Sequence, residues 1–423
     1  MSVDTAPTAP TPVALNATPA QHGASLTRPQ RLGYILLLGA LVALGPFTVD
    51  MYLPAFPAVQ MDLRTTETLI QLTLTATMVG FGLGQLVAGP LSDSLGRRRP
   101  LLIATAIHVL SSISILFAHN VTAVMIGRVG QGLGAAGSAV VAMAMVRDMF
   151  GGQGLVRMLA RMALVSGTAP VVAPLVGAAI LSFAPWRGIF IALTIYGTLM
   201  TLTAALFLRE THDRERRGRL NASAMRQRYR VVFHDPVFLG VALVSAMTFT
   251  ALFSYLSASS FILQDQYGFS TPHFAMTFGM NAVGMIVFTQ TGARLMRRWP
   301  PRAVMTIGVS IVSLGALSLL ILGVTGVGMP WLLVALFFTV APLGFIMPTA
   351  QILALNDHPN EAGTAASVLG ALNFAVAGAV SPLISVLGIS VTSMATVMVG
   401  SMVLANASFW LVVRRRASAD VLR

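Results

Sequence analysis

Gly89-Pro90-Leu91-Ser92-Asp93-Ser94-Leu95-Gly96-Arg97-Arg98-Arg99-Pro100 separates two long apolar runs. A turn this short and this charged has little use between the helices of a soluble domain. Between two helices that cross a bilayer it has a plain one. The arginines hold the turn on the cytoplasmic side, and the glycines let the two helix ends approach closely.

The flanking composition agrees. Of 423 residues, 55% are hydrophobic and only 10% charged, with a mean hydropathy of +0.78, where a soluble chain would be about one-quarter charged. That much apolar surface needs lipid as its solvent. Cysteine is absent, which excludes a disulfide framework and any cysteine-based metal site or nucleophile.

Twelve apolar segments, each near the roughly 20 residues that span a bilayer, are expected at 31–53, 68–90, 100–118, 121–145, 158–181, 187–208, 236–260, 273–295, 303–324, 329–352, 364–387 and 391–413. Residues 1–30, rich in Ala, Thr and Pro, read as a disordered tail. Residues 209–235 form a polar, arginine-rich linker, and 414–423 a second tail. The halves 31–208 and 236–413 are equal in length, the pattern of a duplicated six-helix unit. The expected fold is an all-α membrane protein of twelve transmembrane helices in two six-helix bundles.

All 27 basic residues are arginine. With both termini placed in the cytoplasm, the outer side receives only Arg64 and Arg187, and Arg128 falls inside a span. The other arginines gather on the inner side, so the net charge of +13 is a topology signal rather than a nucleic-acid footprint. No nucleic-acid partner is expected; membrane lipids are.

Several motifs resemble the major facilitator superfamily of transporters. The first is the loop Gly89, Leu91, Asp93, Gly96, Arg97, Arg98. The fourth segment carries Arg128-Val-Gly-Gln131-Gly132-Leu-Gly134, and the fifth carries Ala169-Pro170-Val-Val-Ala173-Pro174-Leu-Val-Gly177. The last resembles the drug/proton antiporter motif, with Ala173 and Ala178 where glycine is usual. Asp50-Met51-Tyr52-Leu53-Pro54, with Gln71-Leu-Thr-Leu, Trp186-Arg187-Gly-Ile-Phe190 and Gly363-Thr-Ala-Ala-Ser367, is similar to the bicyclomycin- and chloramphenicol-resistance branch. The resemblance implies proton-coupled efflux of drug-like, mostly apolar molecules by alternating access. It implies a monomer in a bacterial cytoplasmic (inner) membrane, run by the proton gradient with no cofactor or metal. The alternative is a transporter of an endogenous metabolite on the same fold.

Charges inside spans are expensive and mark function. By resemblance, Asp50 is the proton-titrating or drug-cation-binding carboxylate; otherwise it is an interfacial cap before the Pro54/Pro57 turn. Arg128 needs a partner. Asp50 is the one carboxylate in a neighbouring span, though backbone carbonyls or Gln71 would also serve. Arg128 then tunes the proton site, or is a hydrogen-bond hub between the first and fourth helices. Tyr52, Gln71, Gln131 and Asn373 are favoured as pocket lining; Gln85, Asn281 and Gln290 are further polar groups that hydrocarbon would penalise, as lining or as interhelical glue.

At the inner mouth, Gly89, Asp93, Gly96, Arg97, Arg147 and Asp148 form a candidate gate. Asp93 is expected to pair with Arg147 or to sit at the N-terminus of the eleventh helix. Pro170 and Pro174 remove helix hydrogen bonds and bend the fifth helix, and with Gly177 they are implied to seal the pocket against proton leak. No Ser/His/Asp set, metal spacing or phosphate loop points to an enzyme, so no catalytic residue is assigned. With no lysine there is no ATP-binding Gly-x-x-x-x-Gly-Lys loop. His108, well inside a span, reads as packing.

Overall fold

The structure, a computed structural model, describes residues 26–212, 222–326, 328–358 and 361–414. The expected tails over 1–25 and 415–423 and the middle of the linker, 213–221, lie outside them. Among the described residues the chain is helical throughout, without strands. The first six segments are α1 (Arg28–Asp50), α3 (Glu67–Leu95), α4 (Arg98–Leu116), α5 (Val121–Met149), α6 (Gly152–Leu181) and α7 (Arg187–Phe207). A 3₁₀ turn at Leu53–Ala55 and a short helix α2 (Phe56–Asp62) follow α1.

The later segments are α9 (Pro236–Ser260), α10 (Thr271–Leu295), α11 (Pro301–Thr325), α12 (Met329–Val340) with α13 (Leu343–Asn356), α14 (Ala362–Val380) with α15 (Pro382–Val386), and α16 (Val391–Ser408). Part of the linker is itself a helix, α8 (Ala222–His234), where only a polar connection was expected. Its Val232 is buried against the bundle. The first helix begins at Arg28, inside the expected tail, because Thr27 and Gln30 form a reciprocal capping box there.

Among the described residues, eleven spans are long and apolar enough to cross a membrane. Of the twelve expected segments, α10 has the length but falls short in hydropathy, since His273, Asn281, Gln290 and Arg294 interrupt its apolar run. The tenth segment is split at Ala341-Pro342 and the eleventh breaks before Pro382, as a missing backbone donor dictates. The seventh runs on through a π-helical turn, Phe261–Gln266. By contrast α6 continues unbroken from Gly152 to Leu181 through Pro170 and Pro174.

Small residues set the closest helix contacts, where backbones touch and dispersion replaces hydrophobic drive. A Cβ on Gly80 would lie 2.1 Å from the Val129 carbonyl oxygen, and one on Gly132 would lie 2.2 Å from that of Thr77. These two glycines lock α3 to α5. Gly130 and Gly134 face α4 instead, against Ser111 and against Ala104 and His108. α5 is thus clamped on two faces, which explains why it buries Arg128 completely. Two long seams, α3 along α14 and α6 along α10, join the first six segments to the later ones.

Candidate functional site

A cavity of about 310 Å³ lies between these two sets of helices. α1, α3, α5 and α6 contribute one wall; α9, α10, α12 and α14 contribute the other. Aromatic rings dominate it. Phe81 stacks on Phe374 at 5.1 Å and 20°, Phe249 meets Phe374 edge-on, and Tyr255 stacks on Phe278 at 5.3 Å and 15°. Pro170 also lines it.

Asp50 is the one charged residue on this wall among the described residues. It is the last residue of α1 and is 6% exposed. Its carboxylate makes no ion pair or hydrogen bond among the described residues. The helix ends here because Pro54 follows and the chain tightens into the Leu53–Ala55 turn. Gly177 of α6 fits against that break: a Cβ there would lie 2.3 Å from the Met51 carbonyl oxygen. Asp50 thus lines the cavity at the point where α1 breaks.

Arg128 does not answer Asp50, as the charge pattern suggested. Its Nη1 donates to the Thr48 carbonyl at 2.8 Å and to Gln131 Oε1 at 3.0 Å. Its guanidinium carbon sits 4.5 Å from the centre of the Tyr52 ring, a desolvated cation–π contact worth about 2 kcal/mol. Nε and Nη2 are buried without a hydrogen-bond partner among the described residues. The physical reason lies in the helix end. Tyr52 N–H turns back to the Val49 carbonyl, leaving the Thr48 carbonyl free to accept from the arginine.

Four residues expected as lining are elsewhere. Tyr52 and Gln131 belong to the Arg128 cluster, with the Tyr52 hydroxyl 3.2 Å from Thr73 Oγ1 and Gln131 Nε2 donating to Ser112 at 2.7 Å. Asn373 is absent from the cavity wall, and its Oδ1 is buried without a hydrogen-bond partner among the described residues. Gln71 shares the face of α3 that carries Met78, Phe81 and Gln85, but at about 1.5 Å per residue it lies some 20 Å from Gln85 along the axis. The polar groups that line the cavity are Gln85, Asn281 and Tyr255. Asn281 Nδ2 donates to the Tyr255 hydroxyl at 3.0 Å. Tyr255 was missed; its signal was the polar run Ser254-Tyr255-Leu256-Ser257 inside an apolar helix.

The two ends of the bundle differ. Near Asp62, bonds cross between the two sets of helices. Gln71 Nε2 donates to the Ser257 carbonyl at 3.1 Å and accepts from the Ser385 hydroxyl. Ser260 Oγ donates to the Leu53 carbonyl at 2.7 Å, and Gln264 Nε2 donates to that of Pro54 at 3.3 Å. At the other end, among the described residues, a charged network joins the turn between α3 and α4 to the end of α5 and the start of the linker. Arg97 bonds Asp93 at 2.5 Å, Asp148 at 2.7 Å and Ser92 at 2.8 Å. Burial alone would lower the Arg97 pKa, but Asp148 and Asp93 hold it above its ordinary value. Glu210 accepts from the backbone N–H of Arg97 and Arg98 at 2.7 and 3.2 Å, an acidic cap on the positive end of α4.

Asp93 thus pairs with Arg97 rather than Arg147, which is exposed. Gly96 ends α3 with φ 88°, a conformation glycine adopts freely, and this turns Arg97 back under Asp93. Gly89 lies on the seam with α14, where a Cβ would come 3.9 Å from Ser367 Oγ.

Residues 36–382 match the family model described as Major Facilitator Superfamily. The chain is 33% identical over 400 residues to an uncharacterized MFS-type transporter, YdgK, of Bacillus subtilis, covering 93% of this chain and 98% of that one. It is 30% identical to a bicyclomycin resistance protein homolog of Haemophilus influenzae, over 83% and 88% of the two chains. Its fold superposes on a crystal structure of a D-xylose-proton symporter with a TM-score of 0.70 at 15% identity, over 88% and 97% of the chains. A multi-span, all-helical chain whose cavity lies between two helix sets, and whose sequence carries these likenesses over most of its length, belongs to the major facilitator superfamily of transporters.

Proposed function

We propose that this chain is a proton-coupled exporter of drug-like, mostly apolar small molecules, working by alternating access between bundles at 31–208 and 236–413. The observation that carries the reading is a carboxylate, Asp50, in a mostly apolar, aromatic-lined cavity at the junction of the two helix sets. A bare charge in such surroundings is costly, so a proton and a cationic substrate compete to neutralise the same carboxyl. The lining suits uncharged or cationic aromatic molecules and offers no cation to an anion. The name of the Haemophilus relative points the same way.

α10 is the twelfth span in this reading. Its polar residues are tolerated because Asn281 faces the cavity rather than lipid. Both termini lie in the cytoplasm of a bacterial inner membrane, as the arginine bias requires. The Arg97 end is then the inner mouth and the Gln71 end the outer one. Four neutral bonds close the outer end, so the conformation is one closed to the outside.

The test is efflux from cells expressing the chain, loaded with chloramphenicol or a wider compound panel. Export is expected to stop when an uncoupler collapses the proton gradient. Export that continues without any gradient contradicts antiport.

A further inference from the structure

His108 is fully buried in α4, yet it is not mere packing. Its Nε2 lies 2.8 Å from Thr48 Oγ1. The Thr48 hydroxyl spends its one proton on the Leu44 carbonyl at 2.6 Å, so it accepts from His108, which fixes the tautomer with the proton on Nε2. The His108 carbonyl accepts from Ser112 Oγ at 2.8 Å. Ser112 accepts from Gln131, Gln131 accepts from Arg128, and Arg128 donates to the Thr48 carbonyl. The loop closes on itself through α1, α4 and α5, and each of its five residues is fully buried.

We infer that His108 is a positioning residue for Asp50, acting through Thr48. Thr48 lies in the last turn of α1, two residues before Asp50 and therefore on the opposite face of that helix. Arg128 grips its carbonyl and His108 its hydroxyl. Two grips on the back of the last turn fix its rotation, and that rotation aims the Asp50 carboxylate into the cavity. The turn needs holding from outside because the helix ends there and its carbonyls have lost their own partners.

The surroundings of His108 support a holding role. Arg128 on α5 and Tyr52 in the turn after α1 are the ionisable groups of this cluster, and Asp50 belongs to the cavity wall. From α7 the neighbour is Gly197, where a Cβ would lie 3.1 Å from Nδ1; the adjacent Tyr196 hydroxyl donates to the Ala40 carbonyl instead. Nδ1 is buried without a partner among the described residues, so the ring is committed to the single Thr48 bond. Nε2–H donates that bond whether the imidazole is neutral or charged.

This inference rests on Asp50 being the coupling carboxylate, and its test is read without transport. Dicyclohexylcarbodiimide labels buried protonated carboxyls, and mass spectrometry reports labelling of Asp50 in purified protein as a function of pH. In His108→Phe and in Thr48→Val the midpoint of that profile is expected to move by about half a pH unit or more. His108→Gln, which keeps an amide donor within reach, is expected to restore it. Folding is followed separately by thermal melting, and Thr48→Val serves if His108→Phe does not fold. Wild-type labelling profiles in folded His108→Phe or Thr48→Val protein overturn the inference, as does a His108→Gln profile shifted as far as that of His108→Phe. A normal labelling profile in a wild-type protein that moves no protons with substrate would instead defeat the proposed function and leave the hub standing.

Discussion

The two ends of the bundle differ in what crosses between the helix sets: at both ends charge pairs, Arg187–Asp62 and Arg97–Asp148, tie elements near the first six segments. Near Gln71, four uncharged hydrogen bonds join one helix set to the other, two of them accepted by the carbonyls of Leu53 and Pro54. Near Arg97, three charged side chains tie α3 and its following turn to α5, and Glu210 of the linker caps α4. Neutral bonds of about 1 kcal/mol each suit a contact that must break in every transport cycle. Charge pairs with one partner buried suit a joint that stays intact. The broken end of α1 links the difference to function: Leu53 and Pro54, which take the crossing bonds, follow Asp50 by three and four residues.

Removing the centre of the charged joint should have the largest effect. Arg97→Ala strands Asp148, which is 19% exposed, and Asp93, which is 59% exposed. The expected loss is about 2–3 kcal/mol of stability, below that of a fully buried pair because Asp93 is largely hydrated. Melting of the purified protein in detergent measures it, and an unchanged melting temperature would show that the network is ornamental.

Gln71→Ala should cost less, about 1–2 kcal/mol for two lost bonds, but should act across the interface. With no native cysteine, a Ser260→Cys thiol is a clean reporter of opening at this end. Its reaction with a maleimide is expected to speed up when Gln71→Ala is added. If the rate is unchanged, Gln71 does not help to close that end.

Asp93→Asn should be the mildest, within about 0.5 kcal/mol, because Asp93 is largely exposed and Arg97 keeps Asp148. Its effect is expected on turnover rather than substrate affinity. Unchanged turnover with a large loss of affinity would show that Asp93 does not act on conformational cycling.

The scaffold was legible because a bilayer imposes a length on each apolar run and a side on each arginine turn. A span was expected at 273–295, where α10 has the length but falls short in hydropathy; Asn281, one of the polar residues that lower it, lines the cavity. Asp50 stood out as a lone charge in an apolar run. Its relation to Arg128 did not, since the arginine is satisfied by a backbone carbonyl and a ring face, and no charge pattern records a carbonyl released by a helix end. Nor does the face of a helix reveal depth: Gln71 and Gln85 share one stripe of α3, yet one closes an end and the other lines the cavity.

The most direct test of the account is proton release when substrate is added to purified protein, comparing wild type with Asp50→Asn. Folded Asp50→Asn protein is expected to release no protons on binding, while wild type does. Proton release by Asp50→Asn equal to that of wild type would place the coupling site elsewhere.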